Sequence, residues 1–517
     1  MQQGVRCGTI RSTGQWLVLS GNSLRWLASR STSASTSSRP HIATRTSAWI
    51  DKDKKPVDQD ILAGIPWAGR STLSWLMQQV ATNGPRDQAV WRKLVSRADV
   101  IAHSLTSKQV ALAITALARA KYRDEAFLRR LCVKFLPSHV ESAELLDFCG
   151  ILSGLSQLDA YSEETFNLFA KRAAATVPQM DARQLSLVAN AFARASHKDQ
   201  ELVQRILVQV PRRLDRFTGR DVAVLLNALS QLTPEAVKGQ TKGPSFSQQL
   251  PPELEEPLQA LALRLPEILP SADLHSLTLV LNAFAKMRFL QKDALDLLTE
   301  DLLSDKARFQ QMTPQQLAMV LNASAKLQLY EPQLLDALIA QIRIKARLLD
   351  AQGFCVVANA AAKLRLGVET FGVLYTQVPR LLTRLSGRQV AMLCHSWAKA
   401  HVHNDDLFDL LALPLAQRTE GLTAHEVAIA VYGYAHFRKA PPDLMEPLVN
   451  RFAALLESQS ASDTDLLMLS NALGRVGWRD ERIAEALQEY SHRTSSLDHL
   501  SPQALAIFSP TLSAQEG

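Results

Sequence analysis

The sequence is poor in aromatic residues and glycine for its size. Only 6% of its 517 residues are Phe, Trp or Tyr, although 47% are hydrophobic, and 21 are glycines. This composition suits stacked helices better than strand-rich sandwiches. Since a chain of this length is too long for one compact core, it must form several domains or one extended repeat array.

Several kinds of chemistry are missing from the sequence. Its five cysteines are scattered, with no CxxC pair, and there is no Gly-rich phosphate loop, HExxH or GxSxG motif. His401 and His403 form a close histidine pair, but they lie in a polar turn with no cysteine nearby. No apolar run approaches the 18 residues of a membrane-spanning helix. We therefore expect no enzymatic activity, cofactor, metal or membrane span.

Acidic residues are absent from the first 50 positions, where Asp51 is the first acid. The same segment is rich in Ser and Thr and holds six arginines: Arg6, Arg11, Arg25, Arg30, Arg39 and Arg45. Such a composition is typical of an organelle transit peptide. The remaining chain has 51 basic and 50 acidic residues, so its overall charge does not indicate RNA binding. We expect import into the mitochondrial matrix, with the plastid stroma as the alternative.

A degenerate motif recurs every 36 to 40 residues, most clearly as Asn-Ala-Phe-Ala-Arg from Asn190 and Asn-Ala-Phe-Ala-Lys from Asn282. We take the Asn as position zero and number the repeats 1 to 10 in chain order. The zero positions are Thr115, Ser153, Asn190, Asn227, Asn282, Asn322, Asn359, His395, Tyr432 and Asn471. The longer step between repeats 4 and 5 contains a polar, Pro/Gly-rich stretch that indicates an inserted loop.

The pattern within each repeat predicts a helix-turn-helix unit. Nine positions before zero, nine of the ten repeats carry a residue that can cap a helix, as Thr106 and Thr313 do. Position −5 is apolar in all ten repeats, and positions +1 and +3 are always Ala, Gly or Ser. A second amphipathic helix follows each first helix. The predicted fold is therefore all-α, an α-solenoid of about ten repeats.

The predicted organisation follows from this register. It comprises a disordered transit peptide over 1–50, a linker over 51–66, N-terminal capping helices over 67–103, a repeat array over 104–490 with an inserted loop at 233–252, and a C-terminal cap or tail over 491–517.

Positions −7, zero and +4 of the first helix point in similar directions, away from the apolar stripe. These thirty sites, which we call the basic line, hold eleven Lys or Arg and no acid. Cations at +4 also complement the helix dipole, but at −7 the dipole disfavours them, which favours a ligand. The Asn column could equally bridge neighbouring repeats or hydrogen-bond a base or a peptide backbone. The candidate RNA-binding residues are Lys108, Arg119, Arg183, Asn190, Arg194, Arg220, Asn227, Asn282, Lys286, Asn322, Lys326, Asn359, Lys363, Arg388, Lys399, Asn471 and Arg475.

The 37-residue unit with its Leu-x-Asn-Ala-Phe-Ala-Lys core resembles the heptatricopeptide and octotricopeptide repeat proteins of organelles, including those that end in a RAP domain. The resemblance covers about 106 to 487. No RAP-like domain is evident after the repeats, so the nuclease-like activity attached to that domain is not implied. The Pro-Pro-Pro-Glu-Trp motif of many octotricopeptide repeats is absent, which favours the heptatricopeptide branch.

This resemblance implies binding of single-stranded RNA or an rRNA fragment in organellar RNA processing, stability, translation or mitochondrial ribosome assembly. Ribosomal or other organellar proteins are further candidate partners. The alternative function is a protein-interaction scaffold that holds an extended peptide in an armadillo-like groove.

Overall fold

The computed structural model describes residues 63–84, 87–233, 252–494 and 499–512, all of which fall in one compact unit. The predicted transit peptide, most of the linker, nearly all of the inserted loop at 233–252 and parts of the C-terminal tail lie outside the described residues. The described residues form helices joined by short turns and contain no β-strand, which confirms the all-α fold class.

One layer of the structure consists of the first helices, each packed against the first helix before and after it. Their bounds are Arg70–Asn83, Ser107–Ala120, Leu145–Gln157, Ala182–Arg194, Gly219–Leu232, Leu274–Met287, Pro314–Leu327, Ala351–Lys363, Gly387–Lys399, Ala424–His436, Asp463–Val476 and Pro502–Leu512.

Second helices alternate with the first along the chain. They span Gln88–Val100, Glu125–Arg130 continuing through a π-turn into Leu136–Ser142, Glu163–Thr176, Gln200–Gln209, Pro252–Leu263, Lys292–Ser304, Pro332–Lys345, Val368–Tyr375, Asp405–Ala416, Pro442–Glu457 and Glu481–Thr494. Short helical turns, such as Val378–Leu381 and Thr419–Gly421, lead from several of them to the next repeat.

The predicted N-cap column is confirmed. In nine of the ten repeats the capping side chain accepts a hydrogen bond from the backbone N–H three residues later, and Glu144 of repeat 2 makes no such bond. The first helices of six repeats begin with a capping box, in which the third helical residue also accepts from the N-cap backbone N–H, as Gln109 does from Thr106. Each first helix therefore begins where local hydrogen bonding dictates.

Small residues at +1 and +3 let neighbouring first helices approach closely, as the sequence predicts. A Cβ on Gly433 would lie 2.8 Å from the carbonyl carbon of Cys394 in the preceding repeat, and one on Gly474 would lie 2.6 Å from the Cα of Ala504. All ten side chains at position −5 are at most 3% exposed. The apolar stripe is thus the buried core of the array.

Several cations of the second helices, or of the short helices that follow them, have a structural role. In six units a Lys or Arg donates to the backbone carbonyl that immediately precedes the N-cap of the same unit, as Arg308 does to Ala272 and Lys345 to Met312. These bonds satisfy a carbonyl that lies outside any helix and tie the two helices of a unit together.

The helices Arg70–Asn83 and Gln88–Val100 follow the plan of a repeat, although their sequence lacks the motif. Gln78, nine residues after the N-cap Gly69, occupies position zero and donates to Thr115, the zero residue of repeat 1, at 2.9 Å. Arg97 donates to the carbonyl of Ala68 in the manner of the other second-helix cations. The register of the array therefore begins before repeat 1.

Position +6 of most repeats adopts the left-handed conformation that ends the first helix. Glycine adopts this conformation most readily, yet repeat 10, with Gly477, is the one repeat that carries a glycine at this position. The others are Lys121, Asp159, Ser196, Arg288, Gln328, Arg365, His401 and Arg438, with φ between 50° and 55°.

Candidate nucleic-acid interface

The structure places the cations at position +4 in the last turn of successive first helices. Four of them lie in consecutive repeats, from Lys286 in repeat 5 to Lys399 in repeat 8. The exposed +4 residues are Arg119, Gln157, Arg194, Lys326, Lys399 and Arg475, and the half-buried ones are Gln231, Lys286, Lys363 and His436. Because the first helices pack side by side, these side chains form one continuous row.

Side chains at equivalent positions of neighbouring repeats contact each other. Arg119 donates to Thr82, which occupies position +4 of the preceding unit, at 2.8 Å. The rings of His395 and Tyr432, zero residues of repeats 8 and 9, have centroids 5.7 Å apart. The basic line is therefore a surface whose neighbouring sites are near enough to act on one ligand.

Three consecutive lysines, Lys326, Lys363 and Lys399, form what we call the lysine cluster. The pKa of Lys363 is lowered by its partial burial and then by the positive charges of Lys399 and Lys326. Like charges on adjacent helices repel each other and destabilise the fold. Each lysine also complements the dipole of its own helix. Three of them in succession form a surface that suits a polyanionic ligand.

The amides of the Asn column have two different environments. Asn471 donates to the carbonyl of His499 at 3.0 Å and accepts from the backbone N–H of Ser501 at 2.6 Å, so it bridges to the turn before the final helix. Within the described residues, no side-chain hydrogen bond is made by Asn190, Asn227, Asn282, Asn322 or Asn359. The structural role therefore holds at repeat 10, and the four half-buried amides of Asn190, Asn227, Asn322 and Asn359 remain available to a ligand.

The expectation of an exposed line is wrong at Asn282, whose side chain is only 8% exposed. Its helix, Leu274–Met287, is packed between the first helices of repeats 4 and 6. The other candidate amides are half-buried.

Three of the cations at position −7 lie near acids of the next repeat, so they do not require a ligand to offset the helix dipole. Arg388 pairs with Glu426, which lies at position −6 of the next repeat, at 3.4 Å. Burial raises the pKa of Asp147, and the positive charge of Lys108 offsets part of that rise. The pKa of Asp273 is lowered despite its burial, chiefly by hydrogen bonds from Ser276 and with a smaller contribution from the charge of Arg220. Acids of the neighbouring repeat thus stabilise these cations, which leaves position +4 as the stronger basis for a binding surface.

The C-terminal end of the basic line is aromatic. Arg475 lies over the ring of Tyr432, 5.4 Å from its centroid, and the ring of His436 is 5.9 Å from the same centroid. Burial lowers the pKa of His395 to about 4, and the charges of Lys399, His425 and Lys363 add to the decrease. The pKa of His436 is lowered by burial, then by His401 and Arg475. Both imidazoles are therefore neutral at pH 7.

Other types of site were sought in the part of the chain that the structure describes. No group of three His, Cys, Asp or Glu side chains there could hold a metal ion. No helix in these ranges has the length and apolar character to span a membrane. Gln78 and Thr82 extend the basic line by one unit but could not be recognised from the sequence. Their unit has Gln79 at position +1, where the motif requires Ala, Gly or Ser.

Comparison with known proteins identifies a family. A sequence profile of the RNA-editing substrate-binding complex 6 protein matches residues 80–236 and 269–507, well over half of the chain. No curated protein matches it in sequence. Among known structures, one match is a chain in the "homology model of the full-length AP-3 complex in an intermediate open conformation", with 10% sequence identity. The alignment covers 90% of this chain and 94% of that chain, but the TM-score of 0.28 is too low to indicate a shared fold. The chain therefore belongs to the RNA-editing substrate-binding complex 6 protein family, an RNA-associated family of helical-repeat proteins.

Proposed function

We propose that the protein binds single-stranded RNA along the basic line and acts by binding, with no catalytic step of its own. The observation that carries this proposal is the lysine cluster, which places like charges on three adjacent helices. A single-stranded RNA presents a regular row of phosphates, which matches a row of cations repeated once per structural unit. Helical-repeat RNA binders contact about one nucleotide per repeat, so the footprint is about ten nucleotides.

Family membership supports RNA as the ligand. The name of the family refers to RNA-editing substrates and to a complex, and we infer that this chain holds a substrate RNA within a larger assembly. RNA processing, RNA stability, translation and mitochondrial ribosome assembly are the processes in which such binding would serve. The more specific heptatricopeptide branch stays a prediction.

We place this function in the mitochondrial matrix, with the plastid stroma as the alternative, because of the arginine-rich, acid-free first 50 residues. Residues 1–50 fused to a fluorescent protein should direct it to mitochondria. Replacement of the six arginines by glutamine should leave the fusion in the cytosol, and unchanged targeting of that variant would contradict a transit peptide.

A protein scaffold is the second candidate function. Ile344 and Leu348 are 66% and 62% exposed on the second-helix side, and Ile344 lines a cavity of about 460 Å³ together with Val373. Exposed apolar side chains one helical turn apart favour contact with a protein. The unpaired amides of the Asn column could also hold an extended peptide backbone.

The deciding experiment reverses charge at Lys286, Lys326 and Lys363, each to Glu. The RNA affinity of the purified protein should fall at least about tenfold at physiological salt, while the circular dichroism spectrum stays unchanged. A matched control reverses Lys171, Lys292 and Lys306, which are exposed on second helices or the turn after one and undergo the same change of net charge. Unchanged binding by the first variant would reject the basic line as the RNA site.

Salt dependence separates RNA from peptide binding. The logarithm of RNA affinity should fall with the logarithm of salt concentration by about 0.7 per phosphate contacted. The reversed variant should therefore lose about two units of slope. A shallow slope in the wild-type protein would favour the scaffold.

A further inference from the structure

A cavity of about 340 Å³ lies at the C-terminal end of the basic line. Tyr432 and Arg475 contribute its aromatic and cationic surfaces, and Met468 and Asn471 lie on the same first helix of repeat 10 as Arg475. The turn from His499 to Ser501 lines the remaining side. The cavity therefore combines two zero residues, one +4 residue and the start of the final helical unit.

The lining of the cavity is held in place by specific contacts. Both polar atoms of the Asn471 amide bond to the turn, at 3.0 Å to the His499 carbonyl and 2.6 Å to the Ser501 N–H. The guanidinium of Arg475 lies over the ring of Tyr432, which in turn contacts the rings of His395 and His436. These contacts fix the turn and place the Arg475 guanidinium beside the Tyr432 ring before any ligand arrives, which reduces the entropic cost of binding.

The chemistry of this end differs from that of the lysine cluster. The described residues that line the cavity include Arg475 but no Lys, Asp or Glu, so the guanidinium faces no acid among them. A planar guanidinium backed by an aromatic ring stacks on a flat, uncharged ligand, whereas lysine ammonium groups pair with phosphates. RNA offers both kinds of partner on one chain.

We propose that this cavity binds one unpaired nucleobase of the RNA, stacked on the Arg475 guanidinium that Tyr432 supports. The proposal rests on the proposed function, because it places the base beside phosphates held by the basic line. Cavities of this size accommodate small planar ligands, and the thioether of Met468 supplies an apolar contact. The site gives the bound RNA a direction: phosphates are held in repeats 5 to 8, and a base is inserted between repeats 9 and 10.

The test uses the full-length protein and a 12-nucleotide oligouridine that carries one 2-aminopurine, moved along the strand from probe to probe. The wild-type protein should quench the fluorescence of probes with the base near one end, because stacking quenches 2-aminopurine. Arg475→Lys keeps the charge but loses the planar surface, so quenching should disappear and affinity should fall at least about fivefold. Tyr432→Leu should behave alike, and Tyr432→Phe should retain quenching.

The outcomes separate this proposal from the proposed function. Wild-type binding that depends on Lys286, Lys326 and Lys363, with quenching and affinity unchanged in Arg475→Lys, would overturn the base site and leave the basic line intact. Absence of RNA binding by the wild-type protein would overturn the proposed function and the base site together. The thermal transition of each variant shows whether it is folded. If Tyr432→Leu does not fold, the two single variants Tyr432→Phe, which should retain quenching, and Arg475→Lys, which should lose it, still test the base site.

Discussion

Replacing Lys363 by Gln should stabilise the protein while it weakens RNA binding. Lys363 is half-buried between Lys326 and Lys399 on adjacent first helices, and both charges lower its pKa. Removing its charge ends two repulsions and one desolvation cost in the folded protein. Together these outweigh the gain of about 0.3–1 kcal/mol that a cation in the last turn draws from the helix dipole. The same change removes the central cation of the lysine cluster, so stability and affinity should move in opposite directions.

The size of the effect follows from the spacing of the helices. Packed helix axes lie about 8–10 Å apart, and two unit charges about 9 Å apart in water repel by about 0.5 kcal/mol. Two neighbours therefore cost about 1 kcal/mol at low ionic strength. The Debye length of about 8 Å at 0.15 M salt reduces this to about 0.3 kcal/mol. The stabilisation by Lys363→Gln should therefore shrink as salt is added.

Urea unfolding followed by circular dichroism, at about 10 mM and 150 mM salt, measures this difference. The matched control is Lys171→Gln on the second helix Glu163–Thr176, where the exposed lysine should give little change at either salt concentration. Fluorescence anisotropy with labelled RNA measures affinity. Destabilisation by Lys363→Gln at low salt, or affinity equal to that of the wild type, would refute the reasoning.

Three further predictions concern the array itself. Below pH 6.5 the unfolded chain binds a proton at His395 that the folded protein takes up only near pH 4. The free energy of unfolding should therefore fall by up to about 3 kcal/mol as the pH is lowered from 6.5 to 4. His395→Asn, which introduces the residue that several other repeats carry at position zero, should flatten that part of the stability profile. Gly433→Ala should cost about 1–3 kcal/mol because its Cβ would collide with Cys394, whereas Gly372→Ala, which meets no atom within 4 Å, should stabilise its helix by about 0.5–1 kcal/mol in the same urea assay. Ser196→Gly should stabilise the protein by about 0.5–1 kcal/mol and so raise its thermal midpoint, because glycine adopts the left-handed φ of 54° at this position without strain. A lower midpoint would contradict left-handed strain at Ser196.

Local physics explains which features of the fold can be predicted from the sequence. The caps at Thr106 and Thr313 and the buried stripe through Leu185 depend on residues within one helix, and a single repeat contains that information. Gln78 could not be found in this way. Its repeat lacks the small residue at +1, and its role depends on contact with Thr115 in the next repeat.

The candidate site is predictable only in part for the same reason. The dipole argument for Arg388 considers one helix, but its partner Glu426 belongs to the following repeat and is brought near only by stacking. Likewise, the sequence places Tyr432 and Arg475 43 residues apart, and the packing of repeats 9 and 10 brings them together. Contacts between repeats therefore decide which basic residues are free to bind a ligand.

Ultraviolet crosslinking of the tagged full-length protein in intact cells, followed by sequencing of the attached RNA and mapping of the crosslinked peptides, tests RNA binding along the basic line most directly. Binding along the basic line should give an enriched RNA and crosslinks on the last turns of the first helices, around Lys326, Lys363 and Lys399. Crosslinks confined to the second helices, or no RNA above the level of an untagged control, would contradict it.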